Sequence, residues 1–472
     1  MALSTIIKSI QDIMRKDPGV DGDAQRISQI TWMIFLKVFD DKEKEWELEN
    51  NYKSPIPEKF RWRNWAADKE GITGEELLGF IGKMFKKFEE LSVDNDPKSF
   101  LVKELFSDNY NYMKTGTLIR QVVNKLNDID FNKTEDRHLF NDIYEQILKD
   151  LQSAGNAGEY YTPRAVTQFI VDMVNPQLGK KILDPACGTG GFLICTLENL
   201  KKQIKSVDER KQLQENIIGI EKKPLPHLLC TTNLILHDIE IPSIRHDNSL
   251  SRPIVDYGPS DKVDIVVTNP PFGGAEETGI ELNFPSAYRT RETADLFLVL
   301  IMKLLKSDGK CGLVLPDGFL FGEGVKTRIK EKLLEEFNLH TIVRLPKGVF
   351  NPYTNIRTNL LFFNKGEKTK EVWYFEHPLP EGYKTYGKTK PIRIEEFDLE
   401  KKWWENRNKK EFKPHCWKVT IDEIKKRNYN LDINNTNNID ETEHMTKDEL
   451  MEKISSNLDR TKKLLGKIKE EF

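Results

Sequence analysis

Between residues 179 and 366, short apolar runs alternate with longer stretches whose apolar residues recur at helical spacing. This alternation indicates β-α units that build a mostly parallel sheet. The predicted strands are 180–184, 216–221, 263–268, 310–316, 340–346 and 359–366, and the predicted helices are 191–205, 225–238, 294–309 and 325–338. Too few residues separate the last two strands for a helical crossover, so we expect an antiparallel pair at the sheet edge.

The regions on either side of this pattern differ from it. Residues 1–150 contain apolar stripes at helical spacing and no strand alternation, which predicts a packed all-α N-terminal domain. Residues 367–445 show little periodicity apart from VWYFEH. The stretch NNTNNIDETE is typical of a polar linker, and the chain after it is again helical in pattern. We therefore predict domains at 1–150, 151–433 and 434–472, the last ending in a C-terminal helical tail.

Composition limits the class of protein. The formal net charge is -3, so contacts with DNA phosphates require local basic patches or a partner subunit. No apolar run is near the roughly 18 residues of a membrane span, and the amphipathic N-terminus lacks the features of a signal peptide. We expect a cytoplasmic protein without membrane contact. The five cysteines are never spaced as C-x-x-C, which argues against a zinc site or a disulfide framework.

A glycine-rich turn follows the first predicted strand. The strand KKILD ends in Asp184 and continues directly into PACGTGGF, which places glycines where a strand turns into a helix. Glycines at such a turn let the backbone approach a nucleotide-like ligand closely. The second strand ends in Glu221, and an acidic residue there can accept both hydroxyls of a ribose. A tight strand-to-helix turn without a ligand is the alternative interpretation.

The sequence Asn269-Pro270-Pro271-Phe272 directly follows the third strongly apolar strand, VDIVVT. The carboxyl ends of parallel strands are where open α/β sheets bind ligands. Two consecutive prolines hold the backbone extended, so we expect an exposed Asn269 and Phe272 fixed in a cleft. A rigid turn with a capping asparagine would explain the prolines but not the aromatic residue beside them.

These motifs carry a resemblance to a known family. DPACGTGGF followed by NPPF resembles the amino-methyltransferases of DNA, and GEYYTPRAV at 158–166 resembles the extra motif of the type I restriction-modification M subunits. The order of the three motifs is similar to the gamma class. The resemblance covers most of the chain. It implies a Rossmann-like sheet of the S-adenosylmethionine-dependent methyltransferases and transfer of a methyl group to N6 of adenine in DNA.

The same resemblance implies the cofactor site. The residues expected to bind S-adenosylmethionine are Gly158, Glu159, Tyr160, Tyr161, Thr162, Pro163, Asp184, Pro185, Gly188, Thr189, Gly190, Glu221 and Asp247. The first motif would line the methionine end, with the Thr162 hydroxyl near the methionine carboxylate. Asp184 would reach the methionine amine, and Glu221 would hold the ribose. Asp247 follows a poorly marked strand and resembles the acid that binds the adenine amine; a solvated loop acid is the alternative.

The expected catalytic residues are Asn269, Pro270, Pro271 and Phe272. Adenine N6 is a poor nucleophile because its lone pair is delocalised into the ring, so two acceptors, the Asn269 side-chain oxygen and the Pro270 carbonyl, would polarise its hydrogens. Alignment and charge placement supply most of the acceleration in such a site. The base must leave the duplex, and stacking on Phe272 would offset part of that cost. The mechanism needs neither a metal nor a covalent intermediate.

The implied partners are double-stranded DNA, a specificity (S) subunit, a second M subunit and, in the full complex, a restriction (R) subunit. The S subunit of such families reads the DNA sequence. Seven residues of the tail alternate by three and four positions on one heptad seam: Met451, Ile454, Leu458, Thr461, Leu465, Ile468 and Phe472. We expect this helix to bind a partner, and packing back on its own domain is the alternative.

Other functions fit the sequence less well than this hypothesis. A phosphate-loop pattern occurs at 382–389, but no apolar strand enters it and Pro391 discourages a following helix, so we interpret it as chance. Pro316-Asp317 is not followed by the E-x-K of a nuclease. A methyltransferase of protein glutamine shares NPP-type motifs but not the long helical N-terminal region. A structural subunit with a degenerate site is disfavoured by the intact Asp184, Glu221, Asn269 and Phe272.

Overall fold

A computed structural model describes residues 3–48, 52–93, 96–129, 131, 161–435 and 455. The predicted α/β sheet is confirmed within this part of the chain. Its strands are β1 Ile182–Asp184, β2 Ile217–Glu221, β3 Ser243–His246, β4 Val263–Thr268, β5 Leu305–Pro316, β6 Phe337–Arg344, β7 Thr358–Lys365, β8 Glu371–Glu376 and β9 Cys416–Thr420. They lie side by side in the order β3-β2-β1-β4-β5-β7-β6-β8-β9.

The first five strands pair in parallel, so their carboxyl ends meet at one edge of the sheet. The predicted antiparallel pair is confirmed, because β7 pairs antiparallel with β6 and also with β5. Its predicted place at the sheet edge is wrong. β8 adds in parallel to the other side of β6, and β9 pairs with β8. The free backbone groups of β6 are thereby paired by strands from a region in which the sequence showed little periodicity.

The helices pack on both sides of this sheet and form the N-terminal region. Their bounds are α1 Leu3–Met14, α2 Asp23–Trp46, α3 Trp62–Trp65, α4 Gly74–Glu89, α5 Pro97–Ser107, α6 Gly116–Leu126, α7 Arg164–Val174, α8 Gly191–Lys201, α9 Val207–Asn216, α10 Pro224–Leu236, α11 Thr293–Leu304, α12 Asp317–Phe321, α13 Val325–Glu336, α14 Asp398–Glu405 and α15 Ile421–Lys426. The helix predicted at 294–309 ends early, because β5 already begins at Leu305.

The N-terminal helices share a core with the sheet domain. Seventeen of the 24 residues of α2 are buried, including its central apolar face. Leu228, Leu229, Ile235 and Leu236 of α10 belong to the same buried cluster as the N-terminal helices. The Lys42 ammonium lies 2.8 Å from the Asp238 carboxylate at the end of α10. The helical region is thereby held against one end of the sheet, next to β2 and β3.

Some predicted features lie outside the described residues. They include the helical pattern at 137–152, the residues Gly158, Glu159 and Tyr160, and the tail from 445 onwards apart from residue 455. Of the helices that the structure describes, none is long and apolar enough to cross a membrane.

Candidate active site

The glycine-rich turn connects the end of β1 to the start of α8. Gly190 caps the helix with φ 86°, and a Cβ placed there would lie 2.8 Å from the Cys230 sulfur. Both the left-handed backbone and the close approach of α10 therefore require glycine. The Gly188 amide donates a hydrogen bond to Glu221 Oε2 at 2.9 Å. The turn is thus fastened to the end of β2 by a hydrogen bond within the protein itself.

Asp184 is a buried carboxyl group with one unused oxygen. Its Oδ1 accepts hydrogen bonds from the Thr268 hydroxyl at 2.7 Å and from the Ala186 amide at 3.1 Å. Its Oδ2 is buried and has no hydrogen-bond partner in the described part of the chain. Burial raises the pKa of Asp184 to about 7. A buried, unpaired oxygen costs free energy, so this position favours a donor or cation supplied from the adjacent cavity.

Glu221 lies at the neighbouring strand end and is also buried. Its Oε1 accepts from the Lys223 amide at 2.7 Å, while Oε2 is held by Gly188. Burial raises the pKa of this carboxyl. Each carboxylate oxygen accepts more than one hydrogen bond, so the oriented group retains capacity for two hydroxyls.

Asp247 occupies the next position along the edge of the sheet. The strand that was poorly marked in the sequence exists as β3, and Asp247 directly follows it. Its amide donates to the Glu221 carbonyl at 3.0 Å, and its exposed side chain accepts from the Asn248 amide at 2.7 Å. Glu221 ends β2 and Asp247 directly follows β3, so the two acidic residues lie at the ends of adjacent parallel strands and line one cavity.

Asn269 extends from the end of β4 towards the first motif. Its Nδ2 donates to the Thr162 hydroxyl oxygen at 2.9 Å, whereas its Oδ1 is buried and has no partner among the described residues. The amide is thus oriented with its acceptor oxygen unused. Thr162 was expected near the cofactor carboxylate, and sequence reasoning missed its contact with Asn269.

Phe272 differs from the expectation that it is exposed. Its ring is 8% exposed and packs edge-on against Phe350, with ring centroids 5.5 Å apart. The Tyr353 ring lies 6.4 Å away, and its hydroxyl donates to the Phe272 carbonyl at 3.3 Å. The exposed-cleft expectation is therefore wrong for Phe272, because a loop between β6 and β7 covers it.

A cavity of about 320 Å³ joins most of these groups. The predicted residues that line it are Tyr161, Thr162, Asp184, Pro185, Gly188, Thr189, Glu221, Asp247, Asn269 and Pro271. Pro163 directly precedes α7 and Gly190 directly precedes α8, and neither lines the cavity. Pro270 is buried, and neither it nor Phe272 lines the cavity.

Sequence reasoning also missed the other rim of this cavity. Glu276 and Thr293 line it, and the Thr293 hydroxyl donates to Glu276 Oε1 at 3.1 Å. The Lys222 ammonium lies 3.1 Å from the Glu277 carboxylate across the rim. The sequence signal for this rim was weak, because Glu276 and Glu277 lie in the loop after β4, and long-range contacts bring that loop to Lys222 and to the start of α11.

Two family models match the chain. The one described as N-6 DNA Methylase matches residues 135–445, and the one described as HsdM N-terminal domain matches residues 3–126. The EcoEI methylase subunit of a type I restriction enzyme from Escherichia coli is 59% identical over 92% of this chain and 90% of its own length. The chain belongs to the type I restriction enzyme methylase subunits. It is an adenine-specific DNA methyltransferase acting at N6, as the sequence motifs predicted.

Solved structures agree with this family. A modification subunit attributed to a type I restriction enzyme of Vibrio vulnificus YJ016 superposes with a TM-score of 0.83 at 44% identity, over 92% of this chain and 97% of the other. A chain from a study of complex assembly and conformational transition in a type I restriction-modification system has a TM-score of 0.82 at 35% identity, over 99% and 97% of the two chains. The methylase subunit described here therefore has the predicted fold, and the hypothesis of a protein-glutamine methyltransferase is rejected.

Proposed function

We propose that this methylase subunit takes the methyl group from S-adenosylmethionine and transfers it to N6 of adenine in double-stranded DNA, at sites chosen by a specificity subunit. The observation that carries the proposal is the pair of unused buried acceptors, Asp184 Oδ2 and Asn269 Oδ1, at neighbouring strand ends on one cavity. One suits a cationic amine of a cofactor. The other suits the exocyclic amine of a base.

The residues present fit the cofactor. S-adenosylmethionine supplies a methyl group on a positively charged sulfur, which makes that carbon open to attack by a nitrogen lone pair. Asp184 would accept from its amine, and Glu221 from its ribose hydroxyls. Asp247, at the exposed end of the same row, would accept from its adenine amine. The first motif, Gly158, Glu159, Tyr160, Tyr161, Thr162 and Pro163, would line the methionine end together with Pro185, Gly188, Thr189 and Gly190.

Asn269 would orient and polarise the target amine. Because Thr162 holds Nδ2, the amide presents Oδ1 as the acceptor for one N6 hydrogen. The Pro270 carbonyl would accept the second hydrogen, and Pro271 would keep the backbone extended at this point. Such fixed acceptors need no reorganisation during the reaction.

Phe272 would support the base after it leaves the duplex. Its ring is held by Phe350 and Tyr353 and does not line the cavity, so a base would stack on it only after the loop between β6 and β7 uncovers the ring. Stacking is worth about 1–3 kcal/mol per base, comparable with part of the cost of flipping. Phe272→Ala is expected to weaken the fluorescence rise of 2-aminopurine placed at the target position. An undiminished rise would contradict the stacking role.

The proposal includes the assembly. We propose that the subunit acts in the cytoplasm with an S subunit, a second M subunit and an R subunit, and that it is organised as domains 1–150, 151–433 and 434–472. Net charge near neutral supports a shared DNA surface, since the chain has no large positive excess of its own.

The function is tested by transfer of a labelled methyl group from S-adenosylmethionine to DNA from a strain that lacks the enzyme. The reaction is run with and without the co-expressed S subunit, and labelled nucleosides are identified by mass spectrometry. We expect N6-methyladenine only when the S subunit is present. The Asn269→Ala variant is the matched control, and we expect it to be inactive. Label in protein, or in another base, would contradict the proposal.

A further inference from the structure

A positively charged loop lies at the carboxyl edge of the sheet, outside the cavity. This basic loop spans residues 377–393 between β8 and α14 and contains one carboxylate, Glu381. Its exposed cations are Lys384, Lys388, Lys390 and Arg393. It also contains the phosphate-loop pattern that the sequence left without a role. No strand enters the pattern at Gly382 and no helix follows Thr389, so it is not a nucleotide cradle.

The basic loop is fixed from beneath by buried polar groups. The Tyr386 ring is 1% exposed, and its hydroxyl donates to Glu396 Oε2 at 2.5 Å. The same hydroxyl lies 3.1 Å from His377 Nε2, and His377 Nδ1 lies 2.5 Å from Glu400 Oε1. This anchor holds the middle of the loop on the body of the protein. The lysines on either side therefore start from a largely ordered backbone, which lowers the entropy lost on binding a partner.

The tip of the basic loop is a tight turn. The backbone groups of Gly387 and Lys390 exchange hydrogen bonds of 3.1 and 3.0 Å. Lys388 lies between them in this turn, and its side chain is exposed. The Lys390 ammonium lies 4.6 Å from the centre of the Tyr383 ring, which holds it close to the loop. The positive charges are thereby concentrated over a few residues.

The basic loop is joined to the loop that covers Phe272. The Thr385 hydroxyl donates to the Lys347 carbonyl at 2.8 Å, and Asn351 Nδ2 donates to the Tyr386 carbonyl at 3.2 Å. A Cβ at Gly348 would lie 2.2 Å from that same carbonyl oxygen, so glycine is required for this approach. Phe350 and Tyr353, from the covering loop, contact Phe272. The basic loop therefore contacts the covering loop, and the covering loop in turn contacts Phe272, which follows the two prolines.

The two sides of the site differ in charge. The rim formed by Glu276 and Glu277 lies on the cofactor side and already holds Lys222. The basic loop and the exposed Lys347 lie on the side of Phe272. Phosphates are attracted to clustered lysines and repelled by carboxylates, so the side of Phe272 favours a DNA backbone more than the rim does, where Arg291 is the cation next to Glu276.

We propose that the basic loop, residues 377–393, binds the phosphate backbone of the DNA duplex beside the flipped adenine. The inference rests on the proposed function for the position of the adenine and adds the surface that holds the flanking strand. Contacts of this kind position the duplex without reading its sequence, in keeping with recognition by another subunit. Binding at this loop is consequently independent of sequence and sensitive to salt.

The first test measures binding of the purified full-length chain to a 40-base-pair duplex of arbitrary sequence as a function of salt. The loop variant K384Q/K388Q/K390Q/R393Q removes four charges. The control variant K202Q/K205Q/R210Q/K211Q removes four exposed charges of the same types near α9, where the strands begin. We expect the loop variant to bind at least about 10-fold more weakly. We also expect the slope of log Kd against log salt concentration to be smaller by about 2–4 than in the wild type. The control should resemble wild type.

The second test is direct cross-linking, which does not depend on multiple substitutions. All five native cysteines are buried, and Lys388 is exposed. The thiol introduced by Lys388→Cys is therefore the one that a reagent in solution can reach. A duplex with a mixed disulfide tethered to one phosphate should undergo thiol–disulfide exchange with this variant, releasing the small leaving thiol, and not with Lys211→Cys. Wild-type salt dependence in the loop variant, or equal cross-linking at both positions, would overturn the inference. Failure of methyl transfer in the wild type would instead overturn the proposed function, because both binding tests use sequence-independent DNA.

Discussion

At the scale of single residues, the buried carboxyl group of Asp184 lowers the stability of the ligand-free protein, although we expect the same group to bind the cofactor. The pKa of its buried carboxyl is raised to about 7 by burial, compared with an ordinary value of 3.8. Between these values the native state binds a proton that the unfolded chain does not. The free energy of unfolding therefore falls as pH rises from about 4 to about 7, and the full penalty is present above pH 7.

We predict that Asp184→Asn raises the free energy of unfolding of the ligand-free protein at pH 8 by about 2–4 kcal/mol, because the amide stays neutral where the buried carboxyl must ionise, and that it abolishes cofactor binding. The gain should vanish near pH 4. Urea unfolding and calorimetry with S-adenosylmethionine measure the two effects. Asp256→Asn, at an exposed position, is the control. Retained cofactor affinity in Asp184→Asn or Asp184→Ala would contradict the assignment.

Asn269 and Thr162 act as a pair at the same scale. Asn269→Ala should lower single-turnover methylation by about 100-fold, the effect of losing one fixed polar group in a reaction site, and leave cofactor binding intact. Thr162→Val should give a smaller loss, because the amide is then free to rotate, and Thr162→Ser should restore the rate. A fully active Asn269→Ala enzyme would rule out polarisation. Equal loss in the Thr162 valine and serine variants would rule out positioning.

At the scale of elements, a histidine pair joins α10, β3 and α5. The His227 and His246 rings stack with centroids 5.0 Å apart, and His227 Nε2 lies 3.9 Å from Glu104 Oε2. Burial, with a contribution from the charge of His246, lowers the pKa of His227 to about 4. Asp247 directly follows His246, so this junction of the helical region and the sheet supports the cofactor site.

We predict that His227 weakens this junction in acid. Below pH 6.5 His227 binds a proton in the unfolded chain but not in the native protein. The free energy of unfolding therefore decreases as pH falls from about 6.5 to about 4. The loss is at most about 3 kcal/mol. His227→Gln should remove it from urea unfolding measured between pH 7 and 4.5, whereas His415→Gln should not. Parallel pH profiles for wild type and His227→Gln would contradict the prediction.

At the scale of the whole molecule, the heptad seam from Met451 to Phe472 stays a prediction, since the tail lies outside the described residues. About three heptads make an isolated helix marginal in water, which favours packing on a partner. Deleting 445–472 should leave cofactor binding intact, loosen the complex with the S subunit and lower methylation of specific DNA. Co-purification of the truncated chain at full stoichiometry and affinity would show that the tail is not the docking element.

The sequence by itself determined six of the nine described strands, the glycine turn, and the acidic and amide residues at three of the strand ends. These features are local: apolar runs specify strands, and the residue that ends a parallel strand must lie at the ligand edge. Asp184, Glu221 and Asn269 were found in this way, whereas Asp247 came from the family resemblance alone, and all four line one cavity.

The tertiary structure alone decided which groups meet across long stretches of chain. Thr162 reaches Asn269 across 107 positions, and a loop from beyond β6 buries Phe272. β8 and β9 extend the sheet because β6 offers unpaired backbone groups, which no local pattern reveals. The lysines of 377–393 lie at the carboxyl edge of the sheet, where we propose that they bind DNA, only because Tyr386 anchors their loop there. Such contacts depend on packing between distant segments, whereas sequence patterns report only neighbours along the chain.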